Sequence, residues 1–488
     1  MIFWARDKYK IFLLWRLIMP ESKIKDTKNK IKQIYNKDDK PWIVGYSGGK
    51  DSSTTAQLIF ESLYELKKNG QKPHKDVYIV SADTLVENPM IIDFIKDTLN
   101  KIQTRAKYFD LPIKTKIVKP NIKETFWSLL IGRGYPSPRQ KFRWCTDRLK
   151  IKPTNEFIKS QISKEGEVIV VLGVRKGESA SRDQVLQNSK LEGYELRHHQ
   201  SLNNAYIFTP IENFDVEDVW HYLLQYENEK LMDSEGYSPW GTNNLELYKL
   251  YKDSDAECPM TINKKADACG KSRFGCWVCT VVQEDKSLKG FIESGEKWMR
   301  PLLEFRNWIY DIRDDRDRRE KRRRNGNVYK IKRNGEEVKG LGPFTLETRR
   351  EILKKLLELQ KKLNEKLGFQ VELIKPDELK TIRAEWIKSG DLEDSLPDIY
   401  KRVFEEPLPW EIDKNYLFEE EERELLSELC RQEGLDVELV NRLLSLEAEH
   451  IGYKQRYNIY TKLEKLLFQD WVHYDDIDDL NKIGSDVK

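Results

Sequence analysis

The chain has little cysteine, little net charge and no long apolar run. Six cysteines among 488 residues are too few and too clustered for a disulfide framework, so we expect a reducing compartment, the cytoplasm. Lys and Arg number 85 and Asp and Glu 82, a formal net charge of +3, so a nucleic-acid surface has to be a local patch. Since a membrane span needs about 20 apolar residues, we expect no membrane contact.

The N-terminal apolar stretch is short. Residues 11–19 are interrupted by Arg16, and no small-residue cleavage site follows them, so a signal peptide is not expected. Two interpretations stay open. Translation starts at Met19 and residues 1–18 are an upstream extension, which we favour, or these residues form a helix that packs on the domain or on a partner.

The length predicts more than one domain. Hydrophobic residues make up 39% of the chain and charged residues 34%, which is typical of a soluble protein with much charged helix surface. We predict an N-terminal extension and helix over 1–40, an α/β nucleotide domain over 41–235, a cysteine segment over 236–300, and a charged, mainly helical region over 301–488.

The most informative stretch is a glycine loop between a predicted strand, Trp42–Val44, and a predicted helix. Its sequence is Tyr-Ser-Gly-Gly-Lys-Asp-Ser over 46–52. The free amides of a helix N-terminus bind phosphate, the glycines allow a close approach, and Lys50 adds a positive charge. Asp51 can cap the helix or help to hold a metal ion. The predicted nucleotide contacts here are Ser47, Gly48, Gly49, Lys50, Asp51 and Ser52.

Three more apolar runs predict strands at Val77–Val80, Ile113–Val118 and Val168–Gly173. The last is continuously apolar, as expected for a central strand. Alternation of strands with helical patterns predicts a doubly wound, mostly parallel α/β sheet.

Polar residues follow two of these strands, at the edge where ligands bind in open α/β sheets. Asp83 follows the first strand and is predicted to contact adenosine or magnesium; the alternative is a helix cap before residue 88. Arg175 and Arg182 follow the continuous strand, where arginines can clamp phosphate.

Several segments resemble known families. The S-G-G-x-D-S loop at 47–52 is similar to the pyrophosphate loop of the ATP pyrophosphatase superfamily; the longer spacing of the common mononucleotide P-loop is absent. Residues 143–153, 173–182 and 209–224 resemble, in order, segments of the phosphoadenosine-phosphosulfate reductase family. The resemblance implies an adenine nucleotide alpha hydrolase-like fold, ATP with Mg²⁺, and cleavage between the α and β phosphates.

Four of the cysteines form a cluster, spaced C-x10-C-x6-C-x2-C within 22 residues. Four thiolates suit zinc or an iron–sulfur cluster, and free cysteines rarely gather so closely. Irregular spacing inside a loop, rather than two matched C-x-x-C pairs, favours a [4Fe–4S] cluster over zinc. The predicted metal ligands are Cys258, Cys269, Cys276 and Cys279.

The other two cysteines stand apart. Cys145 lies near Arg143, Arg148 and Lys150, and positive neighbours favour a reactive thiolate. We predict that Cys145 carries sulfur as a persulfide; the alternative role for this residue is a small buried hydrophobe. Two sources of the transferred sulfur stay open, Cys145 and the cysteine cluster. Cys430 lies in an acidic helical segment and is expected only to pack. The predicted catalytic residues are Cys145, Lys50 and Asp51.

The C-terminal third contains a dense charge run at 313–324, with eight basic and four acidic residues. Such a run can neutralise DNA phosphates, with Trp298, Trp308 and Tyr310 nearby to stack on bases. A solvated helix with its own ion pairs is an equally good alternative.

Beyond the charge run, residues 329–335 predict a hairpin with an Asn-Gly turn, and Thr345–Leu367 an amphipathic helix. Residues 416–468 predict further helices, rich in acid, which suit a partner protein better than DNA.

The combination of a reductase-like domain, a solitary Cys145, a cysteine quartet and a charged tail resembles the DNA phosphorothioation sulfurtransferases over roughly residues 30–300. The E-C-G-x-H tail of phosphosulfate reductases is not found at 482–488, so a reductase is not expected. The resemblance implies adenylylation of a DNA phosphate, replacement of a nonbridging oxygen by sulfur, and a role in bacterial restriction or defence. It also implies a cysteine desulfurase as sulfur donor and companion Dnd-type proteins as partners.

Two alternatives from other function classes stay open. A tRNA-thiolating enzyme also combines this loop with an iron–sulfur cluster, but it modifies a base. A non-catalytic nucleotide-sensing or scaffolding subunit would keep the fold and release no pyrophosphate from ATP.

Overall fold

The structure is a computed structural model that describes most of the chain between residues 21 and 468. The described residues are 21–140, 142–176, 195–199, 201–224, 237–253, 275–323, 328, 330–333, 336–368, 370–410, 418, 420–448 and 458–468. They form two compact units. The first takes the described residues of 21–120, 146–277 and 284–297, and the second those of 121–145, 278–283 and 298–468. The predicted domain boundaries stay a prediction.

A mostly parallel sheet lies at the centre of the first unit. Its described strands run in the order β3-β2-β1-β4-β6-β5, and among them β5 alone is antiparallel to its neighbour. The predicted doubly wound α/β fold is confirmed, as are the predicted strands β1 to β4. The bounds are β1 Trp42–Gly45, β2 Val77–Ala82, β3 Ile113–Val118, β4 Val168–Val171, β5 Arg197–His198 and β6 Ala205–Phe208.

The strand order reverses between β1 and β4, at the middle of the sheet. Val44 of β1 pairs with Ile79 on one side and with Val171 on the other, so all three strands end at one edge. β1 and β4 are almost entirely buried, as expected for parallel strands covered by helices. The crevice at such a reversal, outside the carboxyl ends of the strands, is the usual ligand position in open α/β sheets.

Seven α-helices are described in the first unit. Ile158 of α4 packs against one face of the sheet, with Ile43, Val80 and Val168. Tyr222 of α5 donates a hydrogen bond to Glu61 of α2, which joins these two helices at 2.8 Å. The bounds are α1 Glu21–Tyr35, α2 Lys50–Lys68, α3 Pro89–Tyr108, α4 Lys152–Glu165, α5 Val216–Leu224, α6 Asn244–Asp253 and α7 Lys286–Glu293.

Helix caps show where local sequence rules hold and where they fail. Asp215 accepts the Asp218 amide at 2.7 Å and caps α5, as its position before the helix indicates. The cap of α3 is Asn88, so the alternative that Asp83 caps this helix is wrong. Asp83 instead accepts the Leu85 amide at 2.9 Å and shapes the turn after β2.

The second unit is mainly helical, with one described hairpin of β7 and β8. Trp127 and Trp386 are fully buried at its core, and their indole N–H groups donate to the carbonyls of Leu373 and Ile131. The predicted amphipathic helix (α9) and acidic helices are present. Two antiparallel strands lie where the hairpin is predicted, and its Asn-Gly turn at 334–335 lies outside the described residues. The bounds are α8 Arg300–Asp311, β7 Lys330–Arg333, β8 Glu336–Lys339, α9 Leu346–Leu367, α10 Pro376–Ile387, α11 Ser395–Phe404, α12 Glu420–Gln432, α13 Val437–Ala448 and α14 Ile459–Leu467.

The charge run is not a helix. After a 3-10 turn at Ile312–Asp314, the described residues 315–323 are not helical, so the helix in the alternative is wrong. The ion pairs that the alternative expects within the run are present, between Arg313 and Asp314 and between Arg318 and Asp315. Arg313 donates to the Thr280 carbonyl at 2.7 Å, and the buried Arg319 donates to the Gly342 carbonyl at 2.7 Å. These two arginines hold loops together. DNA binding by the remaining exposed cations stays a prediction.

None of the helices among the described residues combines the length and the apolar character needed to cross a membrane.

Glu212 generates a pH-dependent prediction for the first unit. Its carboxylate lies 2.6 Å from Arg197 of β5 and 3.1 Å from Lys176. Burial raises the pKa of Glu212, but hydrogen bonds from these two cations outweigh burial and lower the pKa from 4.5 to about 2. A lowered folded-state pKa stabilises the fold above the unfolded value, and this stability is lost as pH falls towards 2.

We expect Glu212→Gln to lower the free energy of unfolding by about 1–2 kcal/mol at pH 7, since water screens part of the pair. The difference from wild type should shrink between pH 4.5 and 2. Urea unfolding at several pH values measures it, with Glu217→Gln, an exposed acid on α5, as control. A difference that stays constant with pH would contradict this role.

Candidate functional site

The glycine loop joins β1 to α2 at the carboxyl edge of the sheet. Gly48 has φ +72°, and a Cβ there would lie 2.5 Å from the Ile95 side chain, so glycine is required. Gly49 is the N-cap residue of α2 and has no side-chain cap. The expectation that Asp51 caps this helix is therefore wrong, because Asp51 lies inside the first turn.

Two serines hold the loop in shape. Ser52 Oγ accepts the Ser47 amide at 3.2 Å and donates to the Gly49 carbonyl at 2.9 Å. The two hydroxyl oxygens lie 3.2 Å apart. Both predicted serine contacts therefore build the loop, and their hydroxyls lie beside the amides that could receive an anion.

Asp51 lies between two cations. Its Oδ1 accepts from Arg175 Nε at 2.6 Å, and its Oδ2 lies 3.4 Å from Lys50 Nζ. The side chains of Lys50 and Arg175 are each 6% exposed and that of Asp51 14%, so all three charges are nearly buried. In this arrangement Arg175, predicted to clamp phosphate, contacts the carboxylate of the loop itself.

Gly173 allows the chain leaving β4 to touch the first turn of α2. A Cβ at this position would lie 2.6 Å from the Asp51 carbonyl oxygen and 2.9 Å from Thr55 Oγ1. Any larger residue would push the two segments apart. The close approach places Arg175, two residues later, within reach of the Asp51 carboxylate.

Tyr251, in the last turn of α6, is a site residue that sequence reasoning missed. Its hydroxyl accepts the Lys50 backbone amide at 3.1 Å, and its ring centroid lies 5.2 Å from Lys50 Nζ. A Cβ on Gly49 would lie 2.9 Å from the same hydroxyl. The two partners are 201 positions apart, and no spacing rule connects them.

Cys276 lies beside the turn that follows β2. Its backbone forms an isolated antiparallel β-bridge with Glu87. The next residue, Trp277, donates its amide to the Val86 carbonyl at 3.1 Å. Thr84 Oγ1 lies 3.3 Å from Cys276 Sγ. The fold of the first unit thus brings one predicted metal ligand to the same turn as Asp83.

In the second unit, a buried arginine organises the backbone after Cys279. Arg306 is fully buried, and its guanidinium donates to the carbonyls of Cys279 and Gln283, both at 2.8 Å, and to that of Val282. A fork of donors on three carbonyls fixes the path of this loop. No sequence pattern distinguishes Arg306 from the other arginines.

The cysteine quartet is described only in part. Cys258, Cys269 and the predicted phosphate ligand Arg182 lie outside the described residues. Cys276 and Cys279 are half-buried and not in disulfides. Among the described residues, no group of three or more His, Cys, Asp or Glu side chains could hold a metal ion. The predicted [4Fe–4S] cluster and its four ligands stay a prediction.

Cys145 is half-buried and follows Trp144, which stacks on Phe126 at 5.4 Å in the second unit. In the first unit, Lys150 lies 3.0 Å from Glu87, so this cation already has a carboxylate partner. The role of Cys145 as sulfur carrier stays a prediction. Cys430 is buried, as expected for a packed residue.

Comparison with known proteins shows what the chain is similar to. Residues 41–282 match the family model of the phosphoadenosine phosphosulfate reductase domain. An uncharacterized protein of Methanocaldococcus jannaschii is 26% identical over 56% of this chain and 44% of its own length. The tRNA-specific 2-thiouridylase MnmA of Shewanella denitrificans is 25% identical over 47% of this chain and 61% of its own. Each match therefore spans less than two thirds of the relative's length.

Two solved structures are similar to part of the chain. The phosphoadenylyl-sulfate reductase of Candida auris, in a phosphate complex, has a TM-score of 0.26 and 14% identity, over 42% of this chain and 87% of that chain. The U34-tRNA thiolase NcsA of Methanococcus maripaludis, with its [4Fe-4S] cluster, has a TM-score of 0.27 and 13% identity, over 48% of this chain and 74% of that chain.

The contacts of Arg306 generate a prediction for the second unit. We expect Arg306→Leu to cost about 2–4 kcal/mol of stability, because buried carbonyls lose their donors. Alkylation of Cys279 should become faster as its loop loosens. Arg306→Lys keeps the charge but lacks the planar guanidinium, so its stability and its rate of Cys279 alkylation should lie between those of wild type and Arg306→Leu.

Thermal unfolding and mass spectrometry of alkylated Cys279 provide the two measurements. Arg316→Leu, at an exposed position of the same unit, is the control and should match wild type. Equal effects of the leucine variants at 306 and 316 would show that Arg306 does not hold the loop.

Proposed function

We propose that this chain, which carries a phosphoadenosine phosphosulfate reductase-type domain of the PP-loop superfamily over residues 41–282, is an ATP-dependent sulfurtransferase that modifies the DNA backbone. One observation carries the proposal most directly. A glycine loop, helix amides, Lys50 and Arg175 converge at the strand reversal of the sheet. Such a set of cations and amides suits the phosphates of a nucleotide.

The first chemical step is activation of the acceptor phosphate. The β and γ phosphates of ATP bind at the glycine loop with Mg²⁺, while a nonbridging oxygen of the DNA phosphate attacks the α phosphorus. The bond between the α phosphorus and the bridging oxygen breaks, and pyrophosphate leaves. Helix amides and Lys50 stabilise the negative charge of the leaving group. Asp51 holds Lys50 and Arg175 in place for this step.

The second step delivers sulfur. The terminal sulfur of a persulfide on Cys145 attacks the activated phosphorus, and the bond to the adenylylated oxygen breaks with release of AMP. A second thiol then attacks the Cys145 sulfur and forms a disulfide, which leaves the other sulfur on phosphorus as the phosphorothioate. A thiol reductant restores the disulfide to two thiols. The proximity of Cys145 to Arg143 and Arg148 in the sequence supports this role, because positive neighbours favour a reactive thiolate.

The cysteine quartet is the proposed cofactor site. Cys276 and Cys279 are half-buried and not in disulfides, and cysteine thiolates are soft metal ligands. With Cys258 and Cys269 they would hold a [4Fe–4S] cluster, which we favour over zinc. A bound cluster would supply iron that can hold sulfide.

We assign the chain to the DndC type of DNA phosphorothioation sulfurtransferases. The assignment rests on the combination of the glycine loop, Cys145 and the cysteine quartet. It entails DNA as substrate, a cysteine desulfurase as sulfur donor, Dnd-type partner proteins and a cytoplasmic location. Exposed cations at Arg316, Lys321 and Arg323 support DNA contact in the second unit. The exposed acidic surface of α12 supports a protein partner.

A second candidate is thiolation of a tRNA base. Several curated relatives are tRNA-specific 2-thiouridylases, and one is 25% identical over 47% of this chain. The same loop would then activate a base carbonyl oxygen instead of a phosphate oxygen. A third candidate, a nucleotide-sensing subunit, would bind ATP without releasing pyrophosphate.

Removing the loop cation tests activity and substrate together. We expect Lys50→Ala to lower modification of DNA at least tenfold, because the leaving pyrophosphate loses its buried positive partner. Phosphorothioate-linked dinucleotides are measured by mass spectrometry of digested DNA from cells that carry the whole system. Lys68→Ala, at an exposed position near the end of the same helix, is the matched control.

The same cells report on the other candidates. If wild-type cells contain unmodified DNA, and tRNA bases are thiolated in wild type but not in Lys50→Ala, the tRNA proposal replaces the DNA proposal. ATP binding without pyrophosphate release or modified nucleotides would leave the sensing role.

Cysteine variants distinguish the proposed cluster ligands from the proposed sulfur carrier. We expect Cys276→Ser and Cys279→Ser to lose iron and acid-labile sulfide, since each removes one of four ligands. Cys145→Ser should retain iron but modify no DNA. Iron analysis and absorption spectra are measured on anaerobically purified protein, with Cys430→Ser as control. A Cys145→Ser protein that still modifies DNA would exclude the carrier role.

A further inference from the structure

We propose that Tyr251 is an internal competitor for the phosphate position of the loop, and that nucleotide binding moves its hydroxyl off the Lys50 amide. This inference rests on the proposed nucleotide binding by the loop. It adds a regulatory contact between that loop and helix α6.

The first argument is the hydrogen bond itself. Lys50 is the first residue of α2, and the amides of the first helical turn have no partner inside the helix. Such amides are the groups that bind an anion at a helix N-terminus. The Tyr251 hydroxyl accepts the Lys50 amide at 3.1 Å, so it occupies one of the places that a phosphate oxygen would take.

The second argument is the space over Gly49. This glycine leaves its backbone uncovered, which a ligand can approach closely. A Cβ built there would lie 2.9 Å from the Tyr251 hydroxyl, so the tyrosine fills the gap that the missing side chain leaves. Hydroxyl and phosphate cannot share this position.

The third argument is the balance of charge. Lys50 Nζ lies 5.2 Å from the Tyr251 ring and 3.4 Å from Asp51, whose other oxygen binds Arg175. The Lys50 amide, the Lys50 ammonium group and the Arg175 guanidinium therefore each have a partner within the first unit. A charged phosphate forms stronger hydrogen bonds with amides than a neutral hydroxyl does, so the exchange favours the nucleotide.

Packing on a neighbouring helix holds the tyrosine in place. The Tyr251 ring is 8% exposed and meets Trp220 of α5 edge-on at 5.2 Å. Tyr248, one turn earlier on α6, meets the same tryptophan at 5.4 Å. Tyr248 therefore shares the packing environment, and the bond to the loop distinguishes Tyr251 from it.

The experiment removes a single oxygen atom. Affinity for inorganic pyrophosphate and for Mg-ATP is measured by calorimetry on the full chain, for wild type and Tyr251→Phe. We expect the variant to bind both about three- to tenfold more tightly, since the competing hydrogen bond is gone and the ring still packs. Tyr248→Phe is the matched control and should bind as wild type does.

Hydrogen exchange of α6 gives a second measurement. Pyrophosphate should speed amide exchange over 244–253 in wild type, because the tyrosine loses its anchor, and should change it little in Tyr251→Phe. Unchanged or weaker binding by Tyr251→Phe would overturn the competition and leave the proposed function standing. Absence of binding by wild type and both variants would overturn the nucleotide site itself, and with it the competition.

Discussion

The ion pair between Asp51 and Arg175 is the interaction on which the site depends. It joins the first turn of α2 to the chain that leaves β4, at the middle of the sheet where the strand order reverses. Both side chains are nearly buried, so loss of Asp51 would leave the charges of Arg175 and Lys50 out of water without this carboxylate. The pair forms because Gly173 lets the two segments touch, and a Cβ at that glycine would lie 2.6 Å from the Asp51 carbonyl.

This pairing explains how a loop rich in anion-binding groups can be stable by itself. Lys50 and Arg175 have a carboxylate between them, and the Lys50 amide has a tyrosine hydroxyl. In the proposed function, a phosphate that binds here exchanges partners in a preformed site and does not require a new one to fold. Sites organised before the ligand arrives lose less entropy on binding.

Local patterns in the sequence predict the strands, the glycine loop and the cap at Asp215, because each depends on neighbouring residues alone. The roles expected for Asp51 and Asp83 as caps fail for a different reason. Asp51 finds a stronger partner 124 positions away in Arg175, and Asp83 closes its own turn through the Leu85 amide. Tyr251 has no local signal, since its bond spans 201 positions. Contacts of this kind follow from the path of the chain and cannot be found by spacing.

The contacts of the arginines also cannot be predicted from the charge pattern of the sequence. A basic residue in a charge run predicts a contact with phosphate, yet Arg313 and Arg319 donate to carbonyls of the second unit. Arg306 of α8, outside the run, does the same. A guanidinium with five donors can satisfy several buried carbonyls at once, which a lysine cannot do in one plane. Arginines used in this way add to the formal charge and little to an anion surface. The proposed nucleotide contact therefore involves a few residues at the loop, and the proposed substrate contact involves cations at exposed positions.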